Sequence, residues 1–252
     1  NNMMLIDYLK IINVFISHLY EADYQVIGAI LTLLLPKLLH TDYTVRQLAF
    51  DNVILLSHKS SHQTVRMLID TYREHLMDAC RQQFQTPRLY PHAPKLLSAI
   101  LYSLEDAYPG VLLVSEILEQ KRFDLKPEYL ASLVELMTVS VSVAKTSPCI
   151  FIHKPRVITD DTEPDTDQEQ PKSYNDEIVE RAFEAAFNLP SSDYGLVKRN
   201  SMLLLEACCE YFRQSQSKDT FLPMIHKLWD KLWCRLSDLD KRISNLACTT
   251  LT

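Results

Sequence analysis

The chain has 252 residues, of which 47% are hydrophobic and 23% are charged, so it is long enough to form a large buried core. Only three residues are glycine, which argues against hairpins, phosphate-binding loops and dinucleotide-binding folds, because these need backbone conformations that glycine supplies. The net charge of −6 leaves no basic excess for the phosphates of a nucleic acid, so nucleic-acid binding is not expected.

Apolar residues recur at helical spacing along nearly the whole chain, which predicts an all-α protein. The predicted helices cover residues 3–19, 24–39, 44–58, 63–85, 92–106, 111–121, 127–146, 175–188, 194–215, 219–236 and 240–251. Pro94 and Pro127 lie where two of these helices begin, a position that proline favours. The run 137–143 alternates like a strand, but it continues the helical spacing of the residues before it and is therefore predicted to be helical.

Three predicted turns share a pattern in which an aspartate precedes a β-branched residue, a basic neighbour and a small residue. The three sets are Asp42, Val45, Arg46 and Ala49; Asp193, Val197, Lys198 and Ser201; and Asp240, Arg242, Ile243 and Ala247. The aspartate is suited to capping the helix or forming the turn, and the small residue lets a neighbouring helix approach. Val197 and Ile243 lie 46 residues apart, within the period of about 40–47 residues of HEAT repeats. We therefore predict an α-solenoid of about five HEAT-type helix pairs plus a truncated one.

The helical pattern stops between residues 147 and 174, where prolines and acidic residues accumulate. Residues 159–170 contain six acids and no base, and the remaining 26 of the 32 acids balance the 26 basic residues elsewhere. Such a segment buries too little apolar surface to offset its ordering entropy. The predicted organisation is a solenoid at 1–146, an acidic flexible loop at 147–174, and a continued solenoid at 175–252 that is truncated at its C-terminus.

Two threonines in the acidic segment are candidate phosphorylation sites. Thr162 has Asp165 three residues later, and Thr166 has Glu169, which is the spacing that acidophilic kinases of the casein kinase type prefer. Phosphorylation would add charge to a segment that is already negative. The alternative is that the segment is a solvated spacer without modification.

No motif for catalysis, for a cofactor or for a metal is present, so we predict a protein that is not an enzyme. The six cysteines form no C-x-x-C pair and are expected to be reduced, buried thiols in a cytoplasmic or nuclear protein. No signal peptide and no membrane-spanning run is visible, so no membrane association is expected. The chain is expected to be a fragment of a longer protein.

Trp229 and Trp233 are the only tryptophans and lie one helical turn apart. Aromatic residues at this spacing usually lie in a core, but tryptophan is also enriched in the binding hot spots of protein interfaces. Both interpretations stay open, and the two tryptophans together with His226 are the candidate partner contacts.

The stretch from Phe221 to Asp238 resembles the late HEAT repeat of the Tel-two-interacting protein one family, a subunit of the TTT co-chaperone complex. The matching residues are Leu222, Pro223, His226, Trp229, Leu232, Arg235 and Leu236, and the similarity extends over about residues 219–251. The resemblance implies a scaffold without catalytic residues. Its implied partners are the Tel-two protein, the second Tel-two-interacting subunit and the phosphatidylinositol 3-kinase-related protein kinases of the mTOR and ATM class, whose maturation the complex supports. The alternative is a karyopherin-like transport receptor or another HEAT adaptor.

Overall fold

The computed structural model describes residues 2–19, 24–104, 113, 126–146, 174–187, 189–215, 218–238 and 240–251. All regular elements in these ranges are helices, and no strand occurs among them, which confirms the all-α prediction. Apart from Leu113, the predicted helix at 111–121 lies outside the described residues, as does the acidic segment up to residue 173.

The described helices follow one another with short connections. They are α1 (Asn2–Ser17), α2 (Tyr24–Leu34), a 3-10 helix (Leu35–Leu39), α3 (Tyr43–Lys59), α4 (Val65–Thr71), α5 (Arg73–Gln85), α6 (Ala93–Ser103), α7 (Pro127–Thr146), α8 (Tyr174–Ala186), a 3-10 helix (Leu189–Ser191), α9 (Gly195–Gln214), α10 (Lys218–Leu236) and α11 (Lys241–Leu251). The run 137–143 lies inside α7, so its prediction as helix is confirmed. The arrangement is that of a helical repeat, as the helical periodicity predicts.

Two predicted helices are divided in the structure. The helix predicted at 63–85 breaks at Tyr72, which separates α4 from α5. The helix predicted at 24–39 changes to 3-10 geometry after Leu34. Pro36 is the second residue of the 3-10 helix. Proline has no backbone N–H and cannot continue the α-helical hydrogen-bond ladder, which accounts for the second break.

The chain forms two compact units, Asn1–Ser140 and Val141–Thr252, with the boundary inside α7. In the first unit α1 packs along α3 and buries Leu9, Ile12 and Ile16. Between these helices lies the buried amide of Asn52, which donates to the carbonyl oxygen of Leu9 at 2.9 Å and accepts from the Asn13 side chain at 2.7 Å. The amide therefore joins α3 to α1 without leaving a buried polar group unpaired.

In the second unit α9 packs against both α8 and α11, and α10 packs against α11. The shared core contains apolar residues from each of these helices, among them Val179, Phe183, Leu204, Leu205, Phe212, Leu228, Leu232 and Ile243. Asn175 at the start of α8 is buried and donates to the carbonyl oxygen of Ala144 in α7 at 3.1 Å. Each helix thus buries one face against its neighbours, as expected for units that cannot fold alone.

The repeated turn pattern is confirmed in its small residues and in two of its three caps. Ala49, Ser201 and Ala247 are all fully buried. The Asp42 carboxylate accepts the backbone N–H groups of Thr44 and Val45, and Asp240 accepts that of Arg242. Asp193 does not cap α9, because that helix begins only at Gly195 and its cap position is held by Tyr194, which makes no side-chain cap hydrogen bond.

Candidate protein-interaction surface

Helix α10 has one buried face and one exposed face. Leu228 and Leu232 are buried in the second unit. Four residues at spacings of four, three and four occupy the opposite side, and these spacings place side chains in one line along a helix. This line, called the tryptophan stripe below, consists of Leu222, His226, Trp229 and Trp233, and all four side chains are exposed.

The two indoles are the largest apolar groups of the tryptophan stripe. Trp229 is 48% exposed and Trp233 is 62% exposed, so neither serves as a core residue. Their ring centroids lie 6.3 Å apart with an angle of 23° between the planes, which is a stacked arrangement. The stacked rings contact each other and present a contiguous aromatic surface.

A carboxylate at the end of α10 connects the helix to both of its neighbours. Asp238 Oδ2 accepts from Lys198 Nζ of α9 at 3.3 Å and from Arg235 Nη1 of α10 at 3.1 Å. Its Oδ1 accepts the backbone N–H of Asp240, just before α11, at 3.1 Å. The Asp240 N–H, followed by the Arg235 and Lys198 side chains, holds the pKa of Asp238 below its usual value.

A second hydrogen bond fixes α11 against the end of α10. The Ser244 hydroxyl donates to the carbonyl oxygen of Leu236 at 2.7 Å and so satisfies one of the carbonyls left without a partner at a helix C-terminus. Together with the Asp238 contacts, this bond fixes the direction of α10. The tryptophan stripe is therefore carried by a helix that is anchored at its C-terminal end.

The cysteines do not form a reactive centre in the described residues. Cys80, Cys208 and Cys209 are buried as predicted, and burial raises the pKa of each thiol, that of Cys209 to about 12. These thiols stay protonated at neutral pH and are poor nucleophiles. Cys234 and Cys248 correct the prediction, because both are exposed on the outer faces of α10 and α11.

The described residues contain no group of histidine, cysteine and acidic side chains that could hold a metal ion. His62, for example, has one ring nitrogen 3.0 Å from the Ser60 hydroxyl and the other 3.1 Å from that of Thr71. Thr162 and Thr166 lie outside the described residues, so their phosphorylation stays a prediction.

Residues 151–252 match the family model described as the TTI1 C-terminal TPR domain. Over these residues the chain is similar to the Tel-two-interacting protein one family. The match confirms the resemblance found in residues 219–251, and it includes the tryptophan stripe and the Asp238 contacts that support it. The description of the family model names a helical-repeat domain.

The description of this family names the repeats TPR, whereas the sequence spacing predicts HEAT. Both are pairs of antiparallel helices, with periods of about 34 and 40–47 residues. Val197 and Ile243, which are both buried at equivalent positions of α9 and α11, lie 46 residues apart. The spacing between these two helices is therefore that of the longer repeat.

The chain is also similar to an engineered protein whose crystal structure was determined by the Northeast Structural Genomics Consortium. The two are 14% identical, the similarity covers 98% of this chain and 88% of the other, and the TM-score is 0.50. This likeness supports the helical fold alone. No curated protein matches the sequence. Among the described helices, none combines the length and the apolar character needed to cross a bilayer.

Proposed function

We propose that this chain is a non-catalytic scaffold of the TTT complex type, which supports the maturation and stability of phosphatidylinositol 3-kinase-related protein kinases by binding other proteins. The observation that carries the proposal is that residues 151–252 match the Tel-two-interacting protein one family. Its partners would be the Tel-two protein, the second Tel-two-interacting subunit and the kinases themselves. The work would take place in the cytoplasm and also in the nucleus.

The mechanism would be binding alone, with the tryptophan stripe as one contact. Two stacked, exposed indoles give a large apolar area that only a partner surface can bury, and tryptophan is prominent among interface hot spots. The stripe lies within the matched segment, on a helix that Asp238 and Ser244 hold in place. Because both indoles are about half exposed or more, we expect their replacement to weaken binding more than folding.

Affinity purification of the tagged full-length protein tests this proposal. We expect the unaltered protein to recover the Tel-two protein, and the variant Trp229→Ala/Trp233→Ala to recover about tenfold less, because two hot-spot side chains are lost. The matched control is Tyr194→Ala/Leu196→Ala, which removes two side chains of the same unit that are 58% and 55% exposed. Equal losses in both variants would remove the tryptophan stripe from the proposal.

A second experiment addresses the cellular role. Depletion of the protein should lower the abundance of several large kinases of the mTOR and ATM class together, since a co-chaperone supports all of its clients. Recovery of the small GTPase Ran or of nuclear-pore proteins in the purification, without the Tel-two protein, would contradict the proposal and favour a transport receptor.

A further inference from the structure

A group of basic side chains lies in the first unit, where the 3-10 helix Leu35–Leu39 packs against α6. Lys37 and His40 are one turn apart, because the His40 N–H donates to the carbonyl oxygen of Lys37 at 3.2 Å. His92 immediately precedes α6, and Lys95 lies in the first turn of that helix. Lys37, His40, His92 and Lys95 are called the basic cluster below.

The ring of His40 is held in one orientation. Its Nδ1 accepts the backbone N–H of Asp42 at 3.1 Å, so in the neutral ring the proton is on Nε2, which is left as a donor. The His40 carbonyl oxygen accepts from Arg46 Nη1 at 2.7 Å, which adds a second permanent cation, beside Lys37, to this turn. The turn therefore combines an oriented N–H donor with several positive charges.

The members of the basic cluster act on one another electrostatically. Burial lowers the pKa of Lys37, and the nearby Lys95 ammonium lowers it further. Burial also lowers the pKa of His92, with added effects of Lys37, Lys95 and His40, and the pKa of His40 is lowered by burial and by both lysines. The packing of the 3-10 helix Leu35–Leu39 on α6 brings these groups together, with Lys37, His40 and Lys95 partly buried and His92 exposed.

No acidic side chain neutralises the two lysines in the described part of the chain, where neither forms an ion pair. Asp42 is the acid whose charge acts on His40, and its oxygens accept from the N–H groups of Thr44 and Val45 and from the Asn2 amide. Half-buried like charges repel, so the cluster is destabilising unless an anion is bound.

We propose that the basic cluster binds a phosphate-type oxyanion, with the Lys37 and Lys95 ammonium groups and the Nε2–H of His40 as donors. Two ammonium charges match the charge of about −1.5 to −2 that a phosphate monoester carries at neutral pH. Lysine binds phosphate as a point charge, and the positive end of α6 adds to the attraction. The anion is either a phosphorylated side chain of a partner protein or free phosphate. The site lies outside the matched residues 151–252 and does not depend on the proposed function.

Isothermal titration of the full chain tests the site with three probes: inorganic phosphate, a phosphoserine peptide, and the same peptide without phosphate. We expect phosphate or the phosphopeptide to bind, and the variant Lys37→Met/Lys95→Met to bind at least about tenfold more weakly, because two charge-assisted contacts are lost. Methionine keeps the apolar stem of each lysine. The matched control, Lys10→Met/Lys227→Met, removes the same charge from two exposed lysines and should bind like the unaltered protein.

The variant His40→Asn decides the question if the double lysine variant fails to fold. Asparagine keeps an acceptor for the Asp42 N–H and removes the Nε2–H donor, so the protein should fold and bind several-fold more weakly. Tighter binding of the phosphopeptide than of phosphate identifies a partner protein as the source of the anion, and the reverse identifies free phosphate. The proposal is overturned if neither binds, if the unphosphorylated peptide binds equally well, or if the control variant loses as much affinity as the lysine variant.

Discussion

The two compact units join their helices through polar contacts of different chemistry. In Asn1–Ser140 a neutral, buried amide, Asn52, connects α3 to α1. In Val141–Thr252 a charged carboxylate near the surface, Asp238, connects α9, α10 and the start of α11. The difference shows that one repeat architecture uses both a fully buried hydrogen bond, which is costly to break, and a partly buried ion pair, whose contribution depends on pH.

The largest expected effect comes from removing the buried amide. Asn52→Ala leaves the Leu9 carbonyl and the Asn13 amide without their partner and opens a small cavity, so we expect the free energy of unfolding to fall by about 2–4 kcal/mol. Urea denaturation measures this loss. Gln47→Ala, at an exposed position of the same helix, serves as the control and should change stability by no more than about 0.5 kcal/mol.

The small buried residues of the repeated turns allow the two units to be compared at equivalent positions. Ala49→Leu in the first unit and Ala247→Leu in the second should each destabilise by about 1–3 kcal/mol, since both sites are fully packed. Thermal denaturation followed by circular dichroism would measure both variants. If either one is as stable as the unaltered protein, the close helix approach inferred at that turn is wrong.

A smaller effect, with a pH signature, is expected at Asp238. Asp238→Asn should cost about 1 kcal/mol at pH 7, because the ion pairs with Lys198 and Arg235 are partly exposed. The folded-state pKa is lowered, so the contribution is present above the unfolded value of about 3.9 and is lost as the pH falls from there through the folded-state pKa. Denaturation at pH 7 and at pH 3 compares the two proteins. If the free energies of unfolding of the unaltered protein and of Asp238→Asn differ equally at both pH values, the Asp238 ion pairs are not the cause of the loss. For Asn52→Ala, in contrast, the loss should be the same at pH 7 and at pH 3.

The smallest effect on stability is expected for the tryptophan stripe. Trp229→Ala/Trp233→Ala should change the free energy of unfolding by no more than about 1 kcal/mol, because both rings are about half exposed or more. The control is Leu228→Ala, which removes a buried side chain of the same helix and should cost about 2–5 kcal/mol. Urea denaturation measures the free energy of unfolding of both variants. Similar losses in the two variants would mean that the indoles support the fold.

Much of this fold follows from local signals in the sequence. The helical spacing predicts the helices, and Asp42 and Asp240 are caps because each directly precedes the first residue of its helix. Asp193 lies one residue too early, because α9 begins at Gly195. Whether the aspartate caps the helix therefore depends on a difference of one residue in where the helix begins, and the sequence alone does not resolve such a difference.

Other features depend on contacts between distant parts of the chain. No proline or glycine marks the break between α4 and α5 in the sequence. It falls at Tyr72, whose ring stacks on Tyr24 of α2 at a centroid distance of 4.4 Å. The exposure of Trp229 and Trp233 is of the same kind, because helical spacing places both on one face but does not say whether another helix covers it. The basic cluster is not evident from the sequence, because Lys37 and Lys95 lie more than 50 residues apart in the chain.

The two-sided character of α10 has a consequence for how such a protein evolves. Substitutions at Leu228 and Leu232 change the core, whereas those at Trp229 and Trp233 change the exposed surface and, if the proposed function holds, the binding of partners. Because buried and exposed positions are neighbours in the sequence of α10, selection would be able to change the exposed surface, and with it the binding partner, without changing the fold. Natural variation along this one helix should therefore alternate between constrained and adaptable positions with the rhythm of the helical turn.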